Sequence, residues 1–270
     1  MRRLATIVSI IAAVSAAPAA LAEENQQLPA SSDRHSGEVA AGLDYQEGDY
    51  GTGAKVETLS ASLGAASRSG RVRFAASVPY LRTTAPVDVI VSQGGLLGTP
   101  LLATGSAQTV RTRREGIGDV TLQAAYDLPV TGFSAAIGAG LKLPTASRAK
   151  GLGTGKLDYD INAQIAKPLG RITPFAAVGY TIMGQPEGFA VRNTLSGTAG
   201  TRFGLAAGTT AAISYSYEQS ASRSLADRQS IGLGLGVALG QKLQLGLQGA
   251  AGLSKGAPAM KLGVRLGAGF

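Results

Sequence analysis

The chain has 270 residues, with 25 Lys and Arg against 17 Asp and Glu, a formal net charge of +8, 38 Gly, one His and neither Cys nor Trp. Without Cys there is no disulfide, thiolate metal site or lipoprotein anchor, and so much Gly disfavours long helices. The basic residues are scattered rather than gathered into a stripe with interleaved aromatics, which argues against a nucleic-acid partner.

Taken in order, Met1-Arg2-Arg3 supplies a positive start, residues 4–17 are uncharged and apolar, and Ala20-Leu21-Ala22 is an A-x-A cleavage sequence. This is the order of a secretory signal peptide. The apolar run is shorter than the ~20 residues a membrane-spanning helix needs, so residues 1–22 are expected to be removed. Residues 23–37 are polar and are expected to form a flexible periplasmic lead, with a fold-back into a lumen as the alternative.

From 38 to 270 the chain reads as one transmembrane β-barrel. Candidate strands lie at 38–46, 55–65, 71–82, 116–126, 133–143, 158–167, 171–182, 192–202, 208–218, 229–239, 242–252 and 259–269. Each has about the 9–11 residues of a tilted membrane strand, and their even number suits a single antiparallel, up-and-down barrel of about 12 strands. Alternation is clearest late in the chain, where Ile231, Leu233, Leu235, Val237 and Leu239 interleave with Gly232, Gly234, Gly236 and Ala238. A strand's side chains have a period of two, so such a segment has one apolar and one small or polar face. Short connections alternate with longer ones, as periplasmic turns alternate with outer loops, which would put both termini in the periplasm.

The connection 83–115 is too long for an ordinary loop and carries Val87, Val89, Ile90 and Val91. It is expected to be a small external hairpin, in preference to a segment bent inward to constrict the pore. Arg111, Arg113 and Arg114 close it, either as partners for lipopolysaccharide phosphates and outer-membrane lipid at the outer rim or as a merely solvated charge run. At the C-terminus, Leu262, Val264, Leu266, Ala268 and Phe270 fall on one strand face. With Phe as the last residue, the strand resembles the signal read by the barrel-assembly machinery.

Little here resembles catalytic chemistry. His35 is the only His and falls in the polar lead, and there is no second His or Cys to hold zinc. The Gly151-Leu152-Gly153-Thr154-Gly155-Lys156 stretch is not a phosphate loop, because Lys150 stands where the first Gly is needed. No catalytic, cofactor or metal residue is assigned. With apolar faces toward lipid, strand phase points Arg73, Asp119, Lys142, Asp158, Asp160, Glu218, Lys261 and Arg265 into the lumen, joined by Asn162, Gln164, Gln244 and Gln248. They either pair across a narrow lumen and fill it or line a selective path.

Several elements together are distinctive: Gly116-Ile117-Gly118-Asp119, Leu141-Lys142-Leu143-Pro144-Thr145, the glycines of 151–155, Asp158-Tyr159-Asp160, Thr173-Pro174-Phe175 and Arg192-Asn193. Over about residues 116–270 the chain resembles the outer-membrane family named after the meta-pathway of phenol degradation. The resemblance implies a barrel linked to uptake of small, often aromatic or hydrophobic, molecules, and brings no catalytic residues. The expectation is therefore a passive channel for a small-molecule solute. The alternatives are a structural or surface-interaction barrel with a closed lumen and, third, an outer-membrane enzyme.

Overall fold

The computed structural model describes residues 35–87, 89–91, 101–103 and 110–270. The expected signal peptide at 1–22 and the expected lead up to residue 34 lie outside the described residues. The strands are β1 (His35–Gly48), β2 (Val56–Ser69), β3 (Val72–Pro86), two short strands β4 (Val89–Val91) and β5 (Leu101–Ala103), β6 (Arg111–Ile117), β7 (Val120–Asp127), β8 (Ser134–Leu143), β9 (Asp158–Ala166), β10 (Ile172–Ile182), β11 (Thr194–Ala206), β12 (Thr209–Glu218), β13 (Arg228–Leu239), β14 (Leu243–Gly252) and β15 (Met260–Gly269).

All but β4 and β5 join one 13-stranded sheet that closes through the β1–β15, β1–β2 and β2–β3 pairings. β6 and β7 both pair with β3 and are successive halves of one wall strand, so the closed barrel has twelve wall strands, all antiparallel to their neighbours. All twelve segments expected from alternation are strands. The first begins earlier than expected: His35 pairs with Ser69, so it opens β1 instead of ending a lead. The chain's last residue holds it there, with the Gly37 N–H donating to the Phe270 carbonyl at 3.0 Å and the Phe270 N–H to the Gly37 carbonyl at 2.9 Å.

Register fixes the size of the barrel. The paired path leaving β1 at Ser36 passes through Arg68, Arg73, Ala125, Gly138, Asn162, Gly179, Ser196 and Glu218 to Arg228. The path that returns to β1 at Glu47 starts three residues further along, from Ile231 through Ala251 and Met260. The stagger is thus about 14 residues, which for twelve strands gives a tilt of ~39° and a backbone radius of ~12 Å.

Burial is the inverse of a water-soluble barrel. Leu63, Ile161, Val178 and Leu233 are more than half exposed, whereas Thr58, Ser60, Ser62 and Thr198 are buried on the opposite face. An apolar outer band with polar residues inside suits a hydrocarbon surrounding. Exposed Tyr80, Tyr159, Tyr180 and Tyr215 lie toward one rim, and Phe74, Tyr126, Phe133 and Phe270 toward the other, as two aromatic girdles. The five connections at the Phe rim are short, and each carries one glycine at positive φ: Gly70, Gly132, Gly170, Gly208 and Gly240. That backbone region costs glycine little and other residues more, which keeps the turns tight.

Candidate functional site

Polar side chains collect in the interior of the barrel. At the long-loop rim, Lys142 on β8 is buried between two carboxylates. Its Nζ lies 2.7 Å from Asp158 Oδ2 and 3.3 Å from Asp119 Oδ2, and donates to Thr154 Oγ1 at 3.0 Å. Each carboxylate uses its other oxygen on a loop: Asp119 Oδ1 accepts from the Ala146 N–H at 3.0 Å, and Asp158 Oδ1 from the Gly184 N–H at 2.9 Å. Thr145 Oγ1 accepts from the Val120 N–H and donates to the Gly118 carbonyl.

A bulge delivers Asp119 to this position. Between the Tyr80–Ile117 and Ser77–Thr121 pairs, two residues of β3 face three on the partner strand, an extra residue at Gly118–Asp119. Pro79 stands opposite and has no N–H to offer a regular ladder. A Cβ on Gly118 would lie 2.8 Å from Pro79 Cγ, and one on Gly153 2.7 Å from the Ala146 Cβ, so both glycines are required by close packing. Leu81, Ala146 and Leu152 seal the network. The sequence elements at 116–119, 141–145, 151–155 and 158 thus form one buried assembly that folds the connection 144–157 onto the rim.

The long connection behaves differently from expectation. β3 runs to Pro86 and β6 starts at Arg111, so the excursion covers only 87–110. The β4–β5 hairpin exists, and its β4 strand is packed against other connections instead of standing free. Val89 and Val91 are buried with Tyr50, Val56 and Ala85, with Leu225 against them, and Ile90 with Met183, Val191 and Ala221. The Val91 N–H donates to the Gly151 carbonyl at 3.2 Å. Residues from the connections β1–β2, β8–β9, β10–β11 and β12–β13 therefore meet over β4, which lies across the mouth. The physical reason is burial: each of these aliphatic side chains gains roughly 1.5–3 kcal/mol by leaving water. The three arginines divide accordingly. Arg111 pairs with Glu57 and Arg113 with Glu115 on the exposed side, while Arg114 Nη2 donates to the Val89 carbonyl at 2.8 Å and pins the hairpin.

Loop electrostatics reinforce this cap. Burial works to raise the Asp227 carboxyl, but the Ser220 N–H, the Tyr217 hydroxyl and Arg192 outweigh it and hold Asp227 below the usual carboxylate range. Burial pushes the Tyr50 phenol up to about 12. Hydrogen bonds to Glu47 and Glu57 raise Lys55.

Midway down the lumen, side chains lie along the wall. Gln248 Nε2 donates to Asp44 Oδ1 at 2.7 Å directly across Gly263, the register partner of both. Asp160 and Asn162 on β9 hydrogen-bond to each other at 3.2 Å and lie over their partners Gly140 and Gly138. Near the long-loop rim, Glu218 pairs with Arg228 at 3.4 Å, and Lys261 feels Asp44, Arg228 and Glu218.

At the short-turn end, Arg73 lies 2.7 Å from Asp127, which Arg68 also contacts. Arg265 reaches Glu38 at 4.0 Å, and Arg202 sits 5.1 Å from the Phe175 ring centre. Gln164 and Gln244 occupy the same end. Sequence reasoning did not single out Glu38, Asp44, Arg68, Asp127, Arg202 or Arg228, and named Phe175 only within a family element. Their strand phase held the signal, since Arg202 continues the buried row Thr194, Ser196, Thr198. On the outside, Leu262, Val264, Leu266 and Phe270 are exposed.

Known structures share this architecture. The COG4313 outer membrane channel from Pseudomonas putida F1 superposes with a TM-score of 0.63 at 15% identity, over 91% of this chain and all of that one. NanC porin gives 0.52 at 10% identity, over 86% of this chain and 98% of that one, and KdgM porin 0.50 at 11%, over the same shares. No curated protein matches the chain. At these identities the likeness establishes the fold, an outer-membrane channel type of barrel. Kinship comes from the sequence model, which matches residues 26–268: the chain belongs to the family described as "Putative MetA-pathway of phenol degradation".

Proposed function

We propose that the protein is a passive outer-membrane channel for small molecules, with the short turns and both termini in the periplasm and the long loops outside. The observation that carries this reading is the glycine-backed middle of the lumen. A ~12 Å backbone radius leaves a wide interior wherever the inward residue is glycine and the neighbouring polar side chain lies flat upon it. Arg73, Asp119, Lys142, Asp158, Asp160, Glu218, Lys261 and Arg265 are then lumen residues, those at the rims being structural as well as lining. The family points to aromatic or hydrophobic solutes.

The same reading gives the surroundings their roles. Exposed Arg82, Arg111 and Arg113 lie above the Tyr girdle, where lipopolysaccharide phosphates would meet them. Leu262, Val264, Leu266 and Phe270 form the strand offered to the assembly machinery, and residues 1–22 direct export. The N-terminus of the mature protein, read by mass spectrometry, tests the last point.

Conductance of the refolded barrel in planar bilayers, with liposome swelling for uncharged solutes, tests the channel. Steady unit conductance is expected. A folded barrel that neither conducts nor passes solutes would favour the second reading, a closed structural or surface barrel, for which the hairpin across the mouth is the supporting observation.

A further inference from the structure

We propose that Gln123, Asp160 and Asn162 form a docking point for the ammonium group of small organic amines midway along the lumen, an inference that rests on the channel reading above. The barrel contains one cross-strand triplet twice. In the first copy Asp44 and Gln248 flank Gly263, and Gln248 Nε2 donates to Asp44 Oδ1 at 2.7 Å, closing the pair over the glycine. In the second copy Asp160 and Gln123 flank Gly140 in the same register relation. That copy stays open. Among the described residues, the Asp160 side chain takes its one hydrogen bond from Asn162 Nδ2, at 3.2 Å to Oδ2, and the Gln123 side chain makes none.

The open triplet offers acceptors. An ionised carboxylate only accepts, so the bond to Oδ2 fixes which end of the Asn162 amide is nitrogen and leaves its oxygen over Gly138. Asp160 Oδ1 lies over Gly140, so close that a Cβ there would collide with it. Neither oxygen receives a donor from the described residues, and the Gln123 amide oxygen adds a third acceptor. Asp160 also forms no ion pair among the described residues, and Lys142, two residues along β8 from Gly140, is held at the rim by Asp119, Asp158 and Thr154. An ammonium group complements this set, with three N–H donors for three acceptors and its charge beside the carboxylate. Charge-assisted hydrogen bonds are roughly twice as strong as neutral ones. An alcohol brings a single donor, a quaternary ammonium brings none, and an anion meets like charge.

The unit potassium current of single barrels, recorded in planar bilayers at ~0.1 M potassium chloride to limit screening, tests the site. Added ethylammonium chloride should reduce the current by occupying the triplet. Tetramethylammonium chloride, equal in charge but without an N–H, should need at least about tenfold more for the same reduction. Asp160→Asn should raise the ethylammonium concentration for half effect by about tenfold and Gln123→Met by about twofold, whereas Asp44→Asn in the closed triplet should not move it. Equal effects of the two cations on the wild-type barrel, or a half-effect concentration that Asp160→Asn leaves in place or Asp44→Asn shifts as far, overturn the site and leave the channel standing. A barrel that runs as folded in unheated gels yet never conducts overturns both.

Discussion

Replacing Lys142 by Met keeps much of the side-chain volume but removes the cation between two buried carboxylates. The Asp119 and Asp158 side chains are 0% and 3% exposed, so neither turns to water for relief. At the observed 2.7 and 3.3 Å, and an effective dielectric of ~20, the two attractions are ~6 and ~5 kcal/mol before desolvation of all three ions is subtracted. Most of that gain is cancelled in the intact network. Removing one partner is another matter, because it leaves buried charge without compensation, at about 3–5 kcal/mol. The loss should appear first in the loops, since Asp119 and Asp158 hold the Ala146 and Gly184 backbones. Lys142→Met should therefore expose the 144–157 connection to trypsin at Arg148 and Lys150 and lower the urea midpoint followed by gel mobility. Adding Asp119→Asn and Asp158→Asn should restore part of the midpoint. A Lys142→Met barrel within about 1 kcal/mol of wild type, with its loop still protected, would refute the buried-charge argument.

Other expectations follow from the lumen and its cap. In Gly263→Val the new Cβ falls 2.5 Å from both Asp44 Oδ1 and Gln248 Nε2 and pushes those side chain ends off the wall, so unit conductance should drop by about a third or more while stability changes by less than about 1 kcal/mol. Unchanged conductance would mean that the middle is not the path. Ile90→Asp puts a charge into the Met183, Val191 and Ala221 cluster and should release the hairpin, raising conductance at least about twofold with the wall's melting intact. Tyr50 has a buried hydroxyl without a hydrogen-bond partner among the described residues, so Tyr50→Phe should be neutral or stabilising by up to about 1 kcal/mol and should abolish the tyrosine that ionises near pH 12 in absorbance titration. Asp227, depressed in the folded state, stabilises the loops fully above the ordinary carboxylate range and ceases to do so as pH falls through its lowered value. An acid limb in loop protection that Asp227→Asn leaves untouched would exclude that assignment.

The wall was legible because a strand in a membrane barrel obeys one rule repeated twelve times. Ile231 to Leu239 states that rule so plainly that one segment fixes phase for its neighbours. Legibility fails where the rule lapses. Residues 111–115, Arg-Thr-Arg-Arg-Glu, are polar on both faces, so nothing in their alternation announces that they extend the wall beyond the girdle. Phase counted back from Val120 points Asp119 inward. Counted from Ile117 it would face out, and the bulge that reconciles the two depends on Pro79, forty residues earlier in sequence. The packing of the hairpin was not legible for a related reason. Val89, Ile90 and Val91 find apolar partners in three separate connections, each contributing one to three residues, too few to signal a core.

The glycine content unites these observations. Thirty-eight glycines weaken strands that would be better served by β-branched residues, so their number calls for a reason beyond five turns. Register supplies it: Gly263 sits between Asp44 and Gln248, Gly140 beside Asp160, and Gly138 beside Asn162. In each case the missing side chain gives a polar neighbour room to lie flat. At the long-loop rim the same device, at Gly118 and Gly153, brings a loop down into the barrel instead. One residue type thus lets side chains lie along the wall in the middle of the lumen and lets a loop pack down at the rim, and the outcome at each position is decided by what stands beside it: a short polar side chain that can lie along the wall, or an aliphatic loop that needs cover from water.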